Sequence, residues 1–345
     1  MKTNLYKSIT LAAAVCLLAA GCAKQDTINT GEKAQEYLKL YIEKYYPYVT
    51  PNEYGLYVLD ETPGTGRVWA DNIPYVYTRT TIRDLGGTIT STTEETLAQQ
   101  LGTYTKGNYY GPKYQETGKE KSYIGLDNLL KGMHVGGTRK AIIPSWQLTT
   151  NRYSTTKEYI NACTSETHLE YTVTLVGMSD DIAATEKDSL TNFVLHNYGP
   201  GLAPTTIASD VTDGTFYFIS DSTAFIGKPY FPSDTTLKLN YTGRLLNGQV
   251  FDTTVERVAK DAGIYNASKT YGPVSVTFAS KYTEVKMGES SSLITGFKGG
   301  LYKLRWIGQT ADVLFTSELG YTNTGSGLTI PPYSPLLFEL EVVKK

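Results

Sequence analysis

The segment YTGRLLNGQVFDTT, residues 241–254, sets Tyr241 against an adjacent ring and carboxylate, Phe251-Asp252, across an Asn247-Gly248 turn. Asn-Gly is a strong hairpin signal because both residues tolerate the positive φ of a type I′ turn. The turn is therefore expected to fold Phe251 and Asp252 back near Tyr241. A carboxylate beside apolar rings is costly to bury without a partner, which favours a pocket rim over a filled core. Tyr321 stands at the root of a Gly-rich stretch, TNTGSGLTIPP, the kind of loop that more often carries function than packing. Together these residues read as a ligand pocket. On aromatic spacing alone, Phe251, Phe297 and Phe338 read more readily as the core of a small sheet-and-helix domain, and it is the adjoining carboxylate and loop that favour the pocket.

Other chemistry finds little support. Cys163 has His168 close in sequence, as a thiol nucleophile would, but it lies in a polar run, NACTSETH, with no third orienting group. His134, His168 and His196 are scattered without paired spacing, so no metal and no cofactor is expected. A net charge of −2, with no Lys/Arg stripe among the aromatics, argues against a nucleic-acid partner.

Positioning the pocket falls to a chain of 345 residues, long enough for two domains with a core each. Its 28 tyrosines and many threonines favour strands, so more sheet than helix is expected. At the N-terminus, Lys2 and Lys7 precede ITLAAAVCLLAA, a run too short to span a bilayer comfortably, which reads as a secretory signal. The segment LLAAGC resembles a bacterial lipobox with its leucine one place early. That resemblance implies cleavage before Cys22 and acylation of Cys22, giving a lipid-anchored protein of the bacterial cell envelope, at the outer membrane. With Cys16 removed and Cys22 acylated, Cys163 is the remaining thiol, so core packing rather than a disulfide must stabilise the mature chain.

Residues 23–32 read as a polar tether after the 1–22 signal. Beyond it one unit is written twice, at 33–180 and 185–345, with a boundary at SDDIAATEK. Each copy opens with a helix and a short strand. Ala34, Leu38, Tyr41 and Tyr45 share one face of the first helix, and Leu190, Phe193, Val194 and Tyr198 share one face of the second. A strand, a Gly-containing turn, a long connection, a short helix and two strands follow. Ile294, Phe297, Leu301 and Leu304 line one side of the second short helix, and Leu336, Phe338, Leu340 and Val342 one face of the closing strand. The connections at 92–121 and 255–287 exceed ordinary loop lengths, and such loops usually bind something or lack order.

The order YTGRLLNGQVFD, LITGF, GLYKL, ELGY and IPPYSPLLFELEVV, over about residues 237–343, resembles an FKBP-type peptidyl-prolyl cis-trans isomerase domain. The first unit is similar in plan from about residue 75 to 178. The resemblance implies an α+β fold of two FKBP-like domains, each an antiparallel curved sheet packed on a short helix and preceded by an extra helix and strand. It further implies a proline pocket with Tyr241, Phe251 and Phe338 as walls, and Leu293 and Ile294 at the rim. Phe297 would be the floor where the family usually has tryptophan, and Asp252 would sit at the edge. Tyr321 would aim its hydroxyl at a peptide carbonyl, and the Ile294 N–H would hold a second. Thr329 departs from the aliphatic residue usual beside the proline pair. In the first unit Ile89-Thr90 stand for Phe251-Asp252, Leu126 for the floor and Tyr171 for Phe338, while SWQLTT replaces the Tyr321 segment, so that unit is expected to be silent. Partners would be proline-containing polypeptides, and nothing sets an oligomeric state. The competing readings are a noncatalytic peptide or partner holder, and glycan capture by tyrosines at 106–122.

Overall fold

The structure is a computed structural model that describes residues 29–211 and 213–343; the signal segment, Cys22 and residues 23–28 lie outside the described residues. Its first helix, α1 (Thr30–Tyr45), begins inside the stretch expected as a tether. The Asn29 side chain accepts from the Glu32 N–H at 2.8 Å, and Glu32 accepts from the Asn29 N–H at 3.2 Å. This capping box satisfies two of the donors that every helix start leaves open. The buried face is Ala34, Leu38 and Ile42, whereas Tyr45 is 55% exposed. The helix lies along its i, i+4 row, so Ile42 rather than Tyr45 reaches the sheet.

The first unit continues with β1 (Tyr57–Thr62), β2 (Tyr75–Asp84), β3 (Ile89–Thr92), α2 (Glu95–Gln100), β4 (Lys113–Glu116), α3 (Ile124–Leu130), β5 (Thr138–Ile143), α4 (Thr156–Asn161) and β6 (Leu169–Ser179). The second runs α5 (Ile182–Tyr198), β7 (Phe216–Ile219), β8 (Thr235–Leu245), β9 (Val250–Thr253), α6 (Glu256–Asp261), β10 (Val274–Phe278), β11 (Lys286–Met287), α7 (Thr295–Lys303), β12 (Thr310–Phe315) and β13 (Leu336–Val342). The Asp181 side chain caps α5 through the Ala184 N–H at 3.1 Å, so the helix that opens the second unit begins within the SDDIAATEK segment.

Both sheets are antiparallel and follow one plan. In the first the order is β1-β5-β6-β2, with β3 and β4 sharing the far edge of β2. In the second it is β7-β12-β13-β8, with β9 and β10 sharing the far edge of β8 and β11 added outside β10. The repeat extends to side chains. Thr80 N–H donates to Thr93 Oγ1 and Tyr241 N–H to Thr254 Oγ1, both at 2.9 Å, while the Thr81–Thr92 and Thr242–Thr253 hydroxyl pairs lie at 2.9 and 2.8 Å.

Each sheet is covered on both faces. Leu129, Leu130 and Met133 pack on one side of the first sheet with Ala141, Ile143 and Val173, while α1 covers Ile142 on the other. In the second unit Phe297, Leu301 and Leu304 meet Val313, Phe315, Phe338 and Leu340; α5 places Leu190 and Val194 on Tyr217, Leu314 and Leu337. Burial of each such side chain contributes roughly 1.5–3 kcal/mol, enough for the opening helices to be integral to their units. Phe193 and Tyr198, expected on the inner face of α5, are only partly buried beside that cluster.

His168 fastens α1 to the first unit. Its Nδ1 accepts from the Ser145 N–H at 2.9 Å, and its Nε2 donates to the Ala34 carbonyl at 2.9 Å. With both nitrogens so engaged, His168 does not activate Cys163, whose thiol donates to the Ser165 carbonyl at 3.1 Å. Burial holds the imidazole down to about 4 from 6.5. The unfolded chain therefore takes up a proton that the fold resists, and stability is complete above pH 6.5 and falls as pH drops towards 4, by up to about 3 kcal/mol. In His168→Gln this component is missing, so urea midpoints of parent and variant should converge as pH falls across that window. A gap independent of pH would dismiss this role for His168.

Candidate active site

The concave side of the second sheet holds a cavity of about 500 Å³ whose lining includes Tyr241, Phe251, Asp252, Leu293, Ile294, Phe297, Tyr321, Thr329, Ile330 and Phe338. Three elements place its base. β8 supplies Tyr241, β13 supplies Phe338, and α7 supplies Phe297, 4% exposed beside Phe338 at 5%. Phe297 and Phe338 have ring centroids 4.8 Å apart, Tyr241 meets Phe297 edge-on at 5.4 Å, and Phe251 meets Phe338 edge-on at 5.5 Å. Edge-to-face packing of this kind holds rings rigidly at about 0.5–1.5 kcal/mol per pair beyond area burial. Every residue named for the pocket from the sequence lines this one cavity, and Phe297 and Phe338 form core and pocket base at once.

The turn that returns Phe251 and Asp252 differs from the one expected. Among Asn247 and Gly248 only Gly248 has a positive φ, at +88°. The Gly248 N–H donates to the Leu245 carbonyl and the Leu245 N–H to the Gln249 carbonyl, each at 2.9 Å. This is a three-residue loop with glycine in the left-handed position rather than a two-residue type I′ turn. A register shift follows between Gly243 and Arg244, so that Asp252 pairs with Gly243.

Asp252 has partners. Its Oδ2 accepts from the Tyr241 hydroxyl at 2.7 Å, its Oδ1 accepts from the Thr253 N–H at 2.9 Å, and Lys269 Nζ forms an ion pair with Oδ1. Burial, then the Asp252 hydrogen bond, pushes the Tyr241 hydroxyl far above its ordinary value, and burial followed by the Asp252 charge raises Tyr321. Both phenols therefore stay protonated as donors. Tyr321 follows the 3-10 turn Ser317–Leu319, which is anchored from α5: the buried Glu186 carboxylate accepts from the Ser317 N–H at 2.6 Å and its hydroxyl at 2.7 Å. Ile294 is the N-cap of α7 with extended backbone, so its N–H lies ahead of the helical hydrogen-bond ladder.

Lys269 was not recognisable as a site residue by motif, yet the repeat that carries it is in the sequence. YTKGNYYGP at 104–112 and YNASKTYGP at 265–273 share a Tyr-x5-Tyr-Gly-Pro frame. In each, the two tyrosines stack, at 5.3 and 5.4 Å, and the second hydroxyl accepts a backbone N–H, from Thr105 at 3.1 Å and from Asn266 at 3.0 Å. The two long connections are thus built structures, each with a six-residue helix and this tyrosine-framed loop. Within the 106–122 stretch considered for glycan capture, Tyr110 stacks on Tyr104, Tyr114 stacks on Tyr77, and Tyr109 packs against the second unit's core.

The first unit keeps a cavity of about 500 Å³ at the equivalent place, lined among others by Ile82, Ser91, Leu126 and Tyr171. Its strand register corrects the sequence alignment by one residue. Ile82 pairs with Ser91 as Gly243 pairs with Asp252, so Thr90-Ser91, not Ile89-Thr90, match Phe251-Asp252. Tyr171 faces Ile82 as Phe338 faces Gly243, which makes Tyr171 the matching wall. The bulge after the turn shifts register, and a shift of one residue is invisible to an alignment of motifs.

Comparison with known proteins agrees with this geometry. The family model described as FKBP-type peptidyl-prolyl cis-trans isomerase matches residues 229–343. FK506-binding protein 1 of Rhizopus delemar is 30% identical over 118 residues, covering 34% of this chain and 87% of that protein. A probable FKBP-type peptidyl-prolyl cis-trans isomerase of Haemophilus influenzae is 33% identical over 111 residues, 32% of this chain; the match spans 35% of that relative's length. Among solved structures, FkpA from Escherichia coli aligns with 22% identity over 47% of this chain and 60% of its own, at a TM-score of 0.29. AtFKBP13 aligns with 23% identity over 38% and 92%, at 0.26. Through its second unit, the chain belongs to the FKBP-type peptidyl-prolyl cis-trans isomerase family.

Proposed function

We propose that the second unit catalyses cis-trans isomerisation of X-Pro bonds in polypeptide clients, and that the chain works as a folding helper held at the bacterial envelope through Cys22. The anchoring rests on the LLAAGC segment, and the catalysis on one observation: a cavity of about 500 Å³ with an aromatic base and walls, a polar rim and a single carboxylate that is already paired. The reaction breaks no bond. Its obstacle is the partial double bond of the amide, a barrier of ~18–20 kcal/mol. Twisting the amide removes resonance and leaves the carbonyl less polar, so a cavity walled by Tyr241, Phe251, Phe297 and Phe338 prefers the twisted state to the planar one. Tyr321, kept protonated, donates to a carbonyl of the bound peptide, and the Ile294 N–H takes the next. Asp252 fixes the Tyr241 ring and is no proton donor, because its oxygens accept from Tyr241, Thr253 and Lys269.

A second reading, a peptide holder without catalysis, draws on Lys269, whose ammonium forms an ion pair with the pocket's one carboxylate, Asp252. Isomerisation of a short X-Pro peptide series separates the two. Acceleration by the chain from residue 23 onward should fall about tenfold in Tyr321→Phe, which removes one polar contact, and at least as far in Asp252→Ala, which removes the partner of Tyr241, Thr253 and Lys269 together. A folded parent that binds the peptides without accelerating them would establish the holder.

The wall also depends on a missing side chain. A Cβ at position 243 would lie 2.5 and 2.6 Å from Phe251 ring atoms and 3.0 Å from Phe338, closer than such atoms approach. Gly243→Ala should therefore push the Phe251 ring from its place and weaken proline-peptide binding by about tenfold while circular dichroism stays unchanged. Undiminished affinity would show that Phe251 is not part of the binding surface.

A further inference from the structure

The loop that carries much of the pocket rim is held from the other unit. Between β12 and β13 the chain places Tyr321, Ser326, Thr329 and Ile330 on the cavity. The neck of this loop is closed where the Tyr333 N–H donates to the Thr322 carbonyl at 2.9 Å. Thr322 and Tyr333 both have left-handed backbones, with φ +50° and +56°. Non-glycine residues adopt that conformation at a cost and keep it only where surrounding contacts over-determine it.

Those contacts come from Glu116, the last residue of β4 in the first unit. One oxygen of its carboxylate, Oε1, accepts from the Tyr333 hydroxyl at 2.5 Å and from Asn323 Nδ2 at 3.1 Å, so a single atom ties both sides of the neck. Lys121 pairs with Oε2 at 2.6 Å. These donors, Lys121 foremost, hold the carboxyl down to about 2. Tyr75 meets the Tyr333 ring edge-on at 5.4 Å, and the Tyr109 N–H donates to the Leu328 carbonyl at 2.8 Å, pinning the tip. Pro332 lines the mouth of the first unit's own cavity.

We propose that Glu116 is a positioning residue for the second unit's pocket, acting through Asn323 and Tyr333 to hold the loop that presents Tyr321, Thr329 and Ile330, and that bracing this loop is what the first unit does for the reaction. The kinetic part rests on the isomerase reading above; the bracing does not. In Glu116→Ala both neck contacts go, and Tyr333→Phe removes one without touching the first unit. Glu116→Gln keeps an oxygen that accepts from Tyr333 and Asn323 and loses only the ion pair with Lys121.

The test is amide hydrogen exchange of residues 322–333 in the full chain, with isomerase kinetics measured alongside. Exchange across the loop should quicken about tenfold in Glu116→Ala, and in the same direction in Tyr333→Phe, with Glu116→Gln close to the parent. KM for an X-Pro peptide should rise in the same order while kcat changes less. Loop exchange unchanged in both Glu116→Ala and Tyr333→Phe overturns the brace, as does a Glu116→Gln variant no better than Glu116→Ala. Quickened exchange in Glu116→Ala and Tyr333→Phe, with a parent that shows no isomerase activity, supports the brace and removes the isomerase reading instead.

Discussion

The pairing of β8 with β13 carries the pocket. Across it Phe338 faces Gly243 and Leu340 faces Tyr241, so the base and one wall are neighbours in the same ladder. Both sides of the sheet check its register. Leu336, Phe338 and Leu340 are buried with α7, while Leu337 is buried with α5. A slip of one residue would exchange these faces and turn Phe338 away from the cavity. The helix above must also come close. A Cβ at Gly296 would sit 2.3 Å from Phe315, and one at Gly300 2.7 Å from Val313. Two glycines cost α7 about 1 kcal/mol each in helix propensity, and close approach to the sheet is what they provide.

The two units show how one frame is turned to two ends. Their threonine pairs, bulged turns and tyrosine-framed loops superimpose in plan, so the backbone of the first unit still forms a concave face. The side chains on it have changed together. Thr80, Ile82, Thr90 and Ser91 stand where the second unit has Tyr241, Gly243, Phe251 and Asp252. Ile82 occupies the space that Gly243 leaves for the Phe251 ring, and Ser91 removes the carboxylate that would fix a tyrosine at position 80. On the next strand, Glu116 stands level with Thr277, and from there it reaches the loop of the other unit.

Much of this was legible along the chain. Period two in β13 and period near 3.6 in α7 named their buried faces, and the pocket residues fell into a single cavity because each belongs to a patterned element next to a recognisable turn. Where local patterning was weak, reading failed in ways with physical causes. Asn29 caps a helix within the stretch that looks like a tether, since polar caps and polar tethers have the same composition. The alignment of Thr90-Ser91 slipped because a bulge adds a residue without changing the hydrophobic pattern.

The sequence by itself determined the duplication, the α+β class, the aromatic pocket of the second unit and the loss of its key residues in the first. Each depends on residues whose meaning is set within their own strand, helix or turn. The tertiary structure alone decided that Asp252 is paired with Lys269 and that Glu116 grips Tyr333, contacts between residues 17 and 217 positions apart. A charge pattern reports which ions a chain carries, but which two of them meet is settled only when long connections fold over a pocket and one unit is packed against the next.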